Sequence, residues 1–135
     1  MFTYTTTLRM HDTDAAGVLY FVNQLRIAHE AFEAFMISAG LGISQIIQNA
    51  DFQIVIIHAE ADYTAPLFLG DRITVEVIAD HIGETSFAIL YRFMKDDDHA
   101  VGIAKTVHVA IDRKTRKKRH LQVDVRATIE KLNRA

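Results

Sequence analysis

The sequence predicts an α+β fold in which an antiparallel sheet of five strands wraps around one long helix. Three observations predict it. From Asn23 to Ala39 apolar residues recur at spacings of three and four, the period of a helix with a core-facing stripe. Much of the remaining chain alternates polar and apolar residues, the period of a strand. The later segments are separated by short breaks, too short for the crossovers that parallel strands require.

Each element has its own signal. Phe2–Arg9 is rich in threonine and aromatics and suits a first strand. The helix places Leu25, Ala28, Phe32, Phe35 or Met36, and Ala39 along one stripe, with Asn23 as its cap and Gly40 as its left-handed stop. Many alanines and few long charged side chains predict that most of its circumference is buried. Ile43–Asn49 suits a further helical turn. Phe52–Tyr63 ends in strict alternation, with His58, Glu60 and Asp62 on one face and Ala59, Ala61 and Tyr63 on the other. Pro66 and Gly70-Asp71 punctuate the next turn. Arg72–Ala79 alternates again, Gly83-Glu84 turns into Ser86–Met94, and Asp96–Asp98 turns into Val101–Asp112. Val123–Leu132 reads as a short closing helix. One helix covers one face of such a sheet, so association into a homodimer or homotetramer is expected to bury more.

Composition narrows the function. The chain of 135 residues suits a single domain, 1–135, with a sizeable core. A net charge of −2 gives no electrostatic reason to bind nucleic acid or a membrane surface. With no cysteine, disulfides, thiol catalysis and cysteine-held zinc are excluded. MFTYTTTLRM has no basic start followed by an apolar stretch, and the apolar run Ile54–Ile57 is far too short to span a bilayer. A cytoplasmic protein is the expectation.

The stretch His11–Asn23, HDTDAAGVLYFVN, carries the chemistry. It places Asp12 and Asp14 on a loop, then Gly17, then Tyr20 and Phe21 at a helix start. Two readings stand. Aspartates in turns bond nearby amides, Gly17 can serve the turn, and Tyr20 and Phe21 can fill the core. Alternatively, an ionised carboxylate, a glycine permitting close approach and unpaired helix N–H groups together make an acyl-transfer site.

The same stretch resembles the D-x-D-x-x-G signature of the hotdog-fold acyl-CoA thioesterases of the 4-hydroxybenzoyl-CoA thioesterase group. AHEAFEAFM resembles the helix of the branch containing 1,4-dihydroxy-2-naphthoyl-CoA hydrolases, and ADYTAPLFLGDRITVEV resembles the family's second and third strands. The resemblance implies a hotdog fold and hydrolysis of an acyl thioester, either aromatic or fatty, on coenzyme A or acyl carrier protein. It implies that Asp14 is the catalytic carboxylate, as nucleophile or general base, and that the backbone amide at Phe21 holds the oxyanion. It also implies supporting roles for Asp12, Gly17 and Tyr20, with His58 along the substrate channel. Another hotdog branch uses a helix glutamate, which makes Glu30 and Glu33 alternative carboxylates. Coenzyme A is substrate and product, and no separate cofactor is expected.

Two further groups invite attention. His11 with Asp12 and Asp14, or His29 with Glu33, offers metal-ligand types, but no H-E-x-x-H pair occurs and no metal is expected. RKTRKKRH at Arg113–His120 is either a solvated turn or a cationic seat for the coenzyme A phosphates through Arg113, Lys117 and Lys118. Pocket depth is assigned to Phe32, Phe35, Met36 and Ile54–Ile57. The competing functions are a non-catalytic acyl-CoA-binding hotdog protein and a hotdog dehydratase. The absence of G-x-S-x-G argues against a serine hydrolase.

Overall fold

The computed structural model describes residues 1–49, 51–96 and 98–133, the side chains of residues 43, 45 and 49 apart. Strand β1 (Phe2–Thr7) leads through a short 3-10 turn (Met10–Asp12) to helix α1 (Val22–Ser38) and the short helix α2 (Ile43–Asn49). Strands β2 (Phe52–Tyr63), β3 (Arg72–Ile82), β4 (Ser86–Lys95) and β5 (His99–Asp112) follow, and α3 (Val123–Glu130) closes the chain. The strands form one antiparallel sheet in the order β1-β3-β4-β5-β2. The hotdog arrangement expected from the sequence is therefore present, with α1 lying on the sheet. Sequence-adjacent strands pair in the β3-β4 and β4-β5 hairpins, whereas β2 crosses to the far edge and pairs only with β5. Asp97, in the expected acidic turn, lies outside the described residues.

Helix α1 forms because Gln24, Ile27, Ala28, Ala31, Phe32, Phe35 and Met36 recur as one stripe that the sheet buries. Each large apolar side chain so buried contributes about 1.5–3 kcal/mol. The helix is less enclosed than its composition predicts, since Val22, His29, Glu33 and Ile37 on the other side are exposed. Only the sheet side has a partner in a single chain. The start of the helix also differs from the expectation. Phe21, not Asn23, is the residue flanking the first turn. Asn23 lies inside the helix, where its amide donates to the Asp12 carbonyl at 3.0 Å and its oxygen accepts from Arg26 Nε at 3.2 Å. Gly40 ends the helix at φ +80° as expected.

A bulge at Ile57 controls which side chains of β2 reach the helix. Ile56 pairs with His108 and His58 pairs with Val107, so Ile57 is left over. Directly paired residues share a face, and the extra residue resets the parity of the strand. Ile54 and Ile56 then face α1 together with Ala59, Ala61 and Tyr63, which pair with Thr106, Ala104 and Gly102. His58, Glu60 and Asp62 lie on the opposite face.

Gly102 lets helix and sheet approach closely. A Cβ there would lie 2.9 Å from the Gln24 amide atoms and 3.0 Å from the Asp62 carbonyl. Gln24, 1% exposed, uses this space to donate to the carbonyls of Asp62 and Ile103 at 3.1 and 3.2 Å. We expect Gly102→Ala to lower the unfolding free energy by about 1–3 kcal/mol in urea titrations. Combined with Gln24→Ala, it should cost less than the sum of the two single changes, because both disturb one contact.

Candidate active site

The loop before α1 is built by its two aspartates. Asp12 is buried, and its Oδ2 accepts from the Arg9 amide at 2.9 Å while its Oδ1 pairs with the Arg26 guanidinium. Its carbonyl accepts from the Tyr20 amide and the Asn23 side chain, both at 3.0 Å, so one residue ties the loop to the first turn of the helix. Asp14 is exposed. Its Oδ1 accepts from the amides of Ala16 at 2.8 Å and Val18 at 3.3 Å. Its Oδ2 has no hydrogen-bond partner among the described residues. Turn chemistry thus holds one carboxylate oxygen and leaves the other open.

Gly17 belongs to that turn through conformation rather than space. Its φ is +76°, and an added Cβ would meet nothing within 4 Å. The loop is stapled to the β2-β3 connection, with Leu19 N–H donating to the Leu67 carbonyl at 2.7 Å and Leu69 N–H to the Gly17 carbonyl at 2.9 Å.

At the helix start the Phe21 amide has no acceptor among the described residues, while its carbonyl accepts from the Tyr63 hydroxyl. Partial burial raises the Tyr63 pKa, which keeps that donor protonated. Tyr20 and Phe21 do not fill the core of this chain, since their rings are exposed and 5.1 Å apart. A cleft of about 360 Å³ opens beside them, lined by Phe21, Gln24, Tyr63, Pro66 and Leu67 among others. Asp14, the unpaired Phe21 N–H and the cleft follow one another within a short stretch of chain, with Phe21, and not Asp14, in the cleft wall.

The model of the thioesterase-like superfamily matches residues 8–129. The chain belongs to the thioesterase-like superfamily. It is 39% identical over 117 residues to the 1,4-dihydroxy-2-naphthoyl-CoA hydrolase of Rippkaea orientalis, covering 85% of each chain. With the enzyme of the same name from Crocosphaera subtropica it shares 38% identity over 125 residues and 91% of each chain. The crystal structure of a 1,4-dihydroxy-2-naphthoyl-CoA thioesterase from Synechocystis superposes with a TM-score of 0.92 at 32% identity, covering 99% of this chain and 98% of that one. The resemblance to hotdog-fold acyl-CoA thioesterases is borne out, and the protein is a thioester hydrolase of that family.

The other residues that the sequence of the thioesterase singles out fall in different places, and none of them lines the cleft. Glu30 pairs with Arg26 and lies 3.5 Å from the Tyr4 hydroxyl, so it belongs to the ion-pair cluster that carries Asp12. Glu33 is exposed on α1. His58 forms a 3.1 Å pair with Glu60 on the face turned away from α1 by the bulge, and it lines neither the cleft nor the deeper cavity. Arg113 donates to the carbonyls of Ile46 and Ile47 at 2.9 and 2.6 Å, so its guanidinium holds the end of α2. Lys117 and Lys118 are exposed at the end of β5, by the first residues of β2 and hence far along the strand from Phe21 and Tyr63. Among the described residues no three His, Asp or Glu side chains gather as a metal-ligand set, and no helix is long and apolar enough to cross a membrane.

A second cavity, of about 460 Å³, lies along the later turns of α1. His29, Phe32 and Met36 of the helix line it with Ile54, Ile56 and His108 of the sheet. Phe35, expected in the pocket, instead packs edge-on against Phe2 at 5.5 Å, because it points to the β1 side of the helix. His108 is a functional candidate that the sequence motifs do not single out. Its only signal in the sequence is the alternation Ala104, Thr106, His108, Ala110, which puts two polar residues on an inner face. Burial, with His29 nearby, pushes the His108 pKa down to about 4.

The unfolded chain protonates this histidine near pH 6.5 and the folded chain only near pH 4. Between those values the unfolded state holds more protons, so stability is full above the window and falls as pH is lowered through it. The shift corresponds to about 3 kcal/mol. Thermal denaturation should show Tm falling from pH 6.5 towards pH 4, with a shallower slope in His108→Phe. An unchanged slope in that variant would remove His108 as the cause.

Proposed function

We propose that the thioesterase hydrolyses an aromatic acyl-CoA of the 1,4-dihydroxy-2-naphthoyl type, with Asp14 as general base and the Phe21 amide as oxyanion donor. The observation that carries this reading is the asymmetry of the Asp14 carboxylate, one oxygen anchored by two amides and the other open. A carboxylate so held can orient a water and take its proton. Water adds to the thioester carbonyl, and the developing oxyanion accepts from the Phe21 N–H at the positive end of α1. Collapse breaks the C–S bond, and coenzyme A leaves as a thiolate that needs little acid assistance. Asp12 and Arg26 support the geometry. The naphthoyl assignment rests on the relatives sharing 38–39% identity.

A second copy completes this site. Strand β2 has one unpaired edge along its length, and the apolar side chains Ile56 and Ile57 are exposed there beside the uncovered side of α1. Antiparallel pairing of two β2 edges about a two-fold axis lays the Tyr63 end of one strand beside the Phe52 end of the other. The loop of one subunit then meets the α1 cavity of its partner, and Lys117 and Lys118 come across the interface towards coenzyme A. This arrangement favours a homodimer as the working unit, with coenzyme A rather than acyl carrier protein as the carrier tested first.

A panel of dihydroxynaphthoyl, benzoyl and fatty acyl-CoAs should show hydrolysis strongest on the first. Asp14→Asn should lower kcat by about 10²-fold or more with an unchanged circular dichroism spectrum. Near-normal turnover in that variant would remove Asp14 from the reaction, and binding without turnover in the wild type would favour a non-catalytic acyl-CoA-binding protein.

The cationic assignment makes a separate prediction. Sedimentation should give at least a dimer, and inhibition by free coenzyme A should weaken with added salt and in Lys117→Ala/Lys118→Ala. Salt-independent inhibition that the double variant leaves intact would sink the phosphate role.

A further inference from the structure

His108, in the wall of the cavity along the later turns of α1, ends a buried polar chain that thioester hydrolysis does not use. Tyr91 is buried on β4, and its hydroxyl lies 2.9 Å from Thr106 Oγ1. The same oxygen lies 2.8 Å from His108 Nε2. Burial drives the Tyr91 pKa up, so the phenol keeps its proton, and Thr106 is its partner among the described residues. The proton order follows from the donor inventory. With both hydroxyl protons used in the chain, Tyr91 donates to Thr106 and Thr106 to Nε2, which leaves the proton of the neutral imidazole on Nδ1.

Packing also holds that ring. Phe87 stacks on it at 4.7 Å and 8°, and Phe32 approaches at 4.8 Å. Nδ1 has no hydrogen-bond partner among the described residues, yet it is not sealed away. Arg113 Nε is the one fully buried side-chain polar atom without a partner there. His108 lines the cavity, whose other walls include Ile54, Ile56, Phe32 and Met36.

We propose that His108 is a specificity-determining residue, its Nδ1–H donating to a ring oxygen of an aromatic acyl group in this cavity. The inference rests on the reading of the cavity as the acyl pocket. An acyl group with a phenolic or keto oxygen satisfies the donor, whereas a hydrocarbon of the same shape leaves it unpaired in an apolar wall. Pockets built to bond a substrate oxygen reject analogues lacking it far better than apolar pockets sort by size. Thr106 is the positioning residue, because it holds the tautomer that puts the proton on Nδ1.

The test compares kcat/KM for 1,4-dihydroxy-2-naphthoyl-CoA and for 2-naphthoyl-CoA, which lacks both hydroxyls. The full-length wild type should favour the hydroxylated substrate by about tenfold or more. His108→Phe keeps the stacking and should lose most of that preference, with the larger fall in kcat/KM on the hydroxylated substrate. Thr106→Val should erode the preference in the same direction, which also covers failure of the first variant to fold. Calorimetric binding of the two free acids reads the pocket without turnover and should show the same collapse of preference. A preference that survives both variants, or equal losses on both substrates, overturns the role of His108 while leaving the thioesterase reading intact. A wild type that hydrolyses neither substrate and binds neither acid overturns both.

Discussion

Gln24 is a polar side chain in the middle of an apolar stripe, and its carboxamide reaches across to the carbonyls of Asp62 and Ile103 over the bare backbone of Gly102. Breaking that contact would leave the buried Gln24 amide without acceptors, which favours one seat for the first turns of α1 on the sheet. From that seat the rest of the candidate active site follows. Phe21 lines the cleft, the Tyr63 hydroxyl reaches the Phe21 carbonyl, and the loop that carries Asp12 and Asp14 is tied to the β2-β3 connection. Preorganised donors stabilise developing charge only if their position does not relax, which is what a buried two-carbonyl anchor provides.

The two aspartates divide their work by exposure. Asp12, enclosed and paired with Arg26, organises backbone on both sides of it. Asp14 is held by short-range amide bonds at one oxygen and is otherwise open to solvent. Turn chemistry and acyl-transfer chemistry, which compete as readings of the bare sequence, are compatible in three dimensions. The bonds that shape the turn orient the carboxylate without occupying it.

The bulge at Ile57 has a comparable reach. By shifting the parity of β2 it turns Ile54 and Ile56 inward with Ala61 and Tyr63, so an apolar wall runs the length of the strand. The same shift sends His58 and Glu60 to the other face, away from the cavity. A single unpaired residue on an edge strand thus keeps His58 off the helix face, where the alternation of β5 places a different histidine. That histidine is His108, packed against Phe32 and Phe87.

Local periodicity is enough to read the long helix, the hairpins β3-β4 and β4-β5, the closing helix and the stop at Gly40, because those features depend on neighbours three, four or two residues away. The loop signature likewise identifies Asp12, Asp14 and Phe21 as a group. What sequence does not supply is every feature set by contacts between distant segments. The placement of β2 beside β5, the reset of its parity, the retention of Arg113 by the end of α2 and the burial of His108 all depend on which strand or helix lies opposite. Side-chain direction follows from local backbone, but the meaning of that direction, core, cavity or solvent, belongs to the partner across the gap, and only tertiary packing chooses that partner.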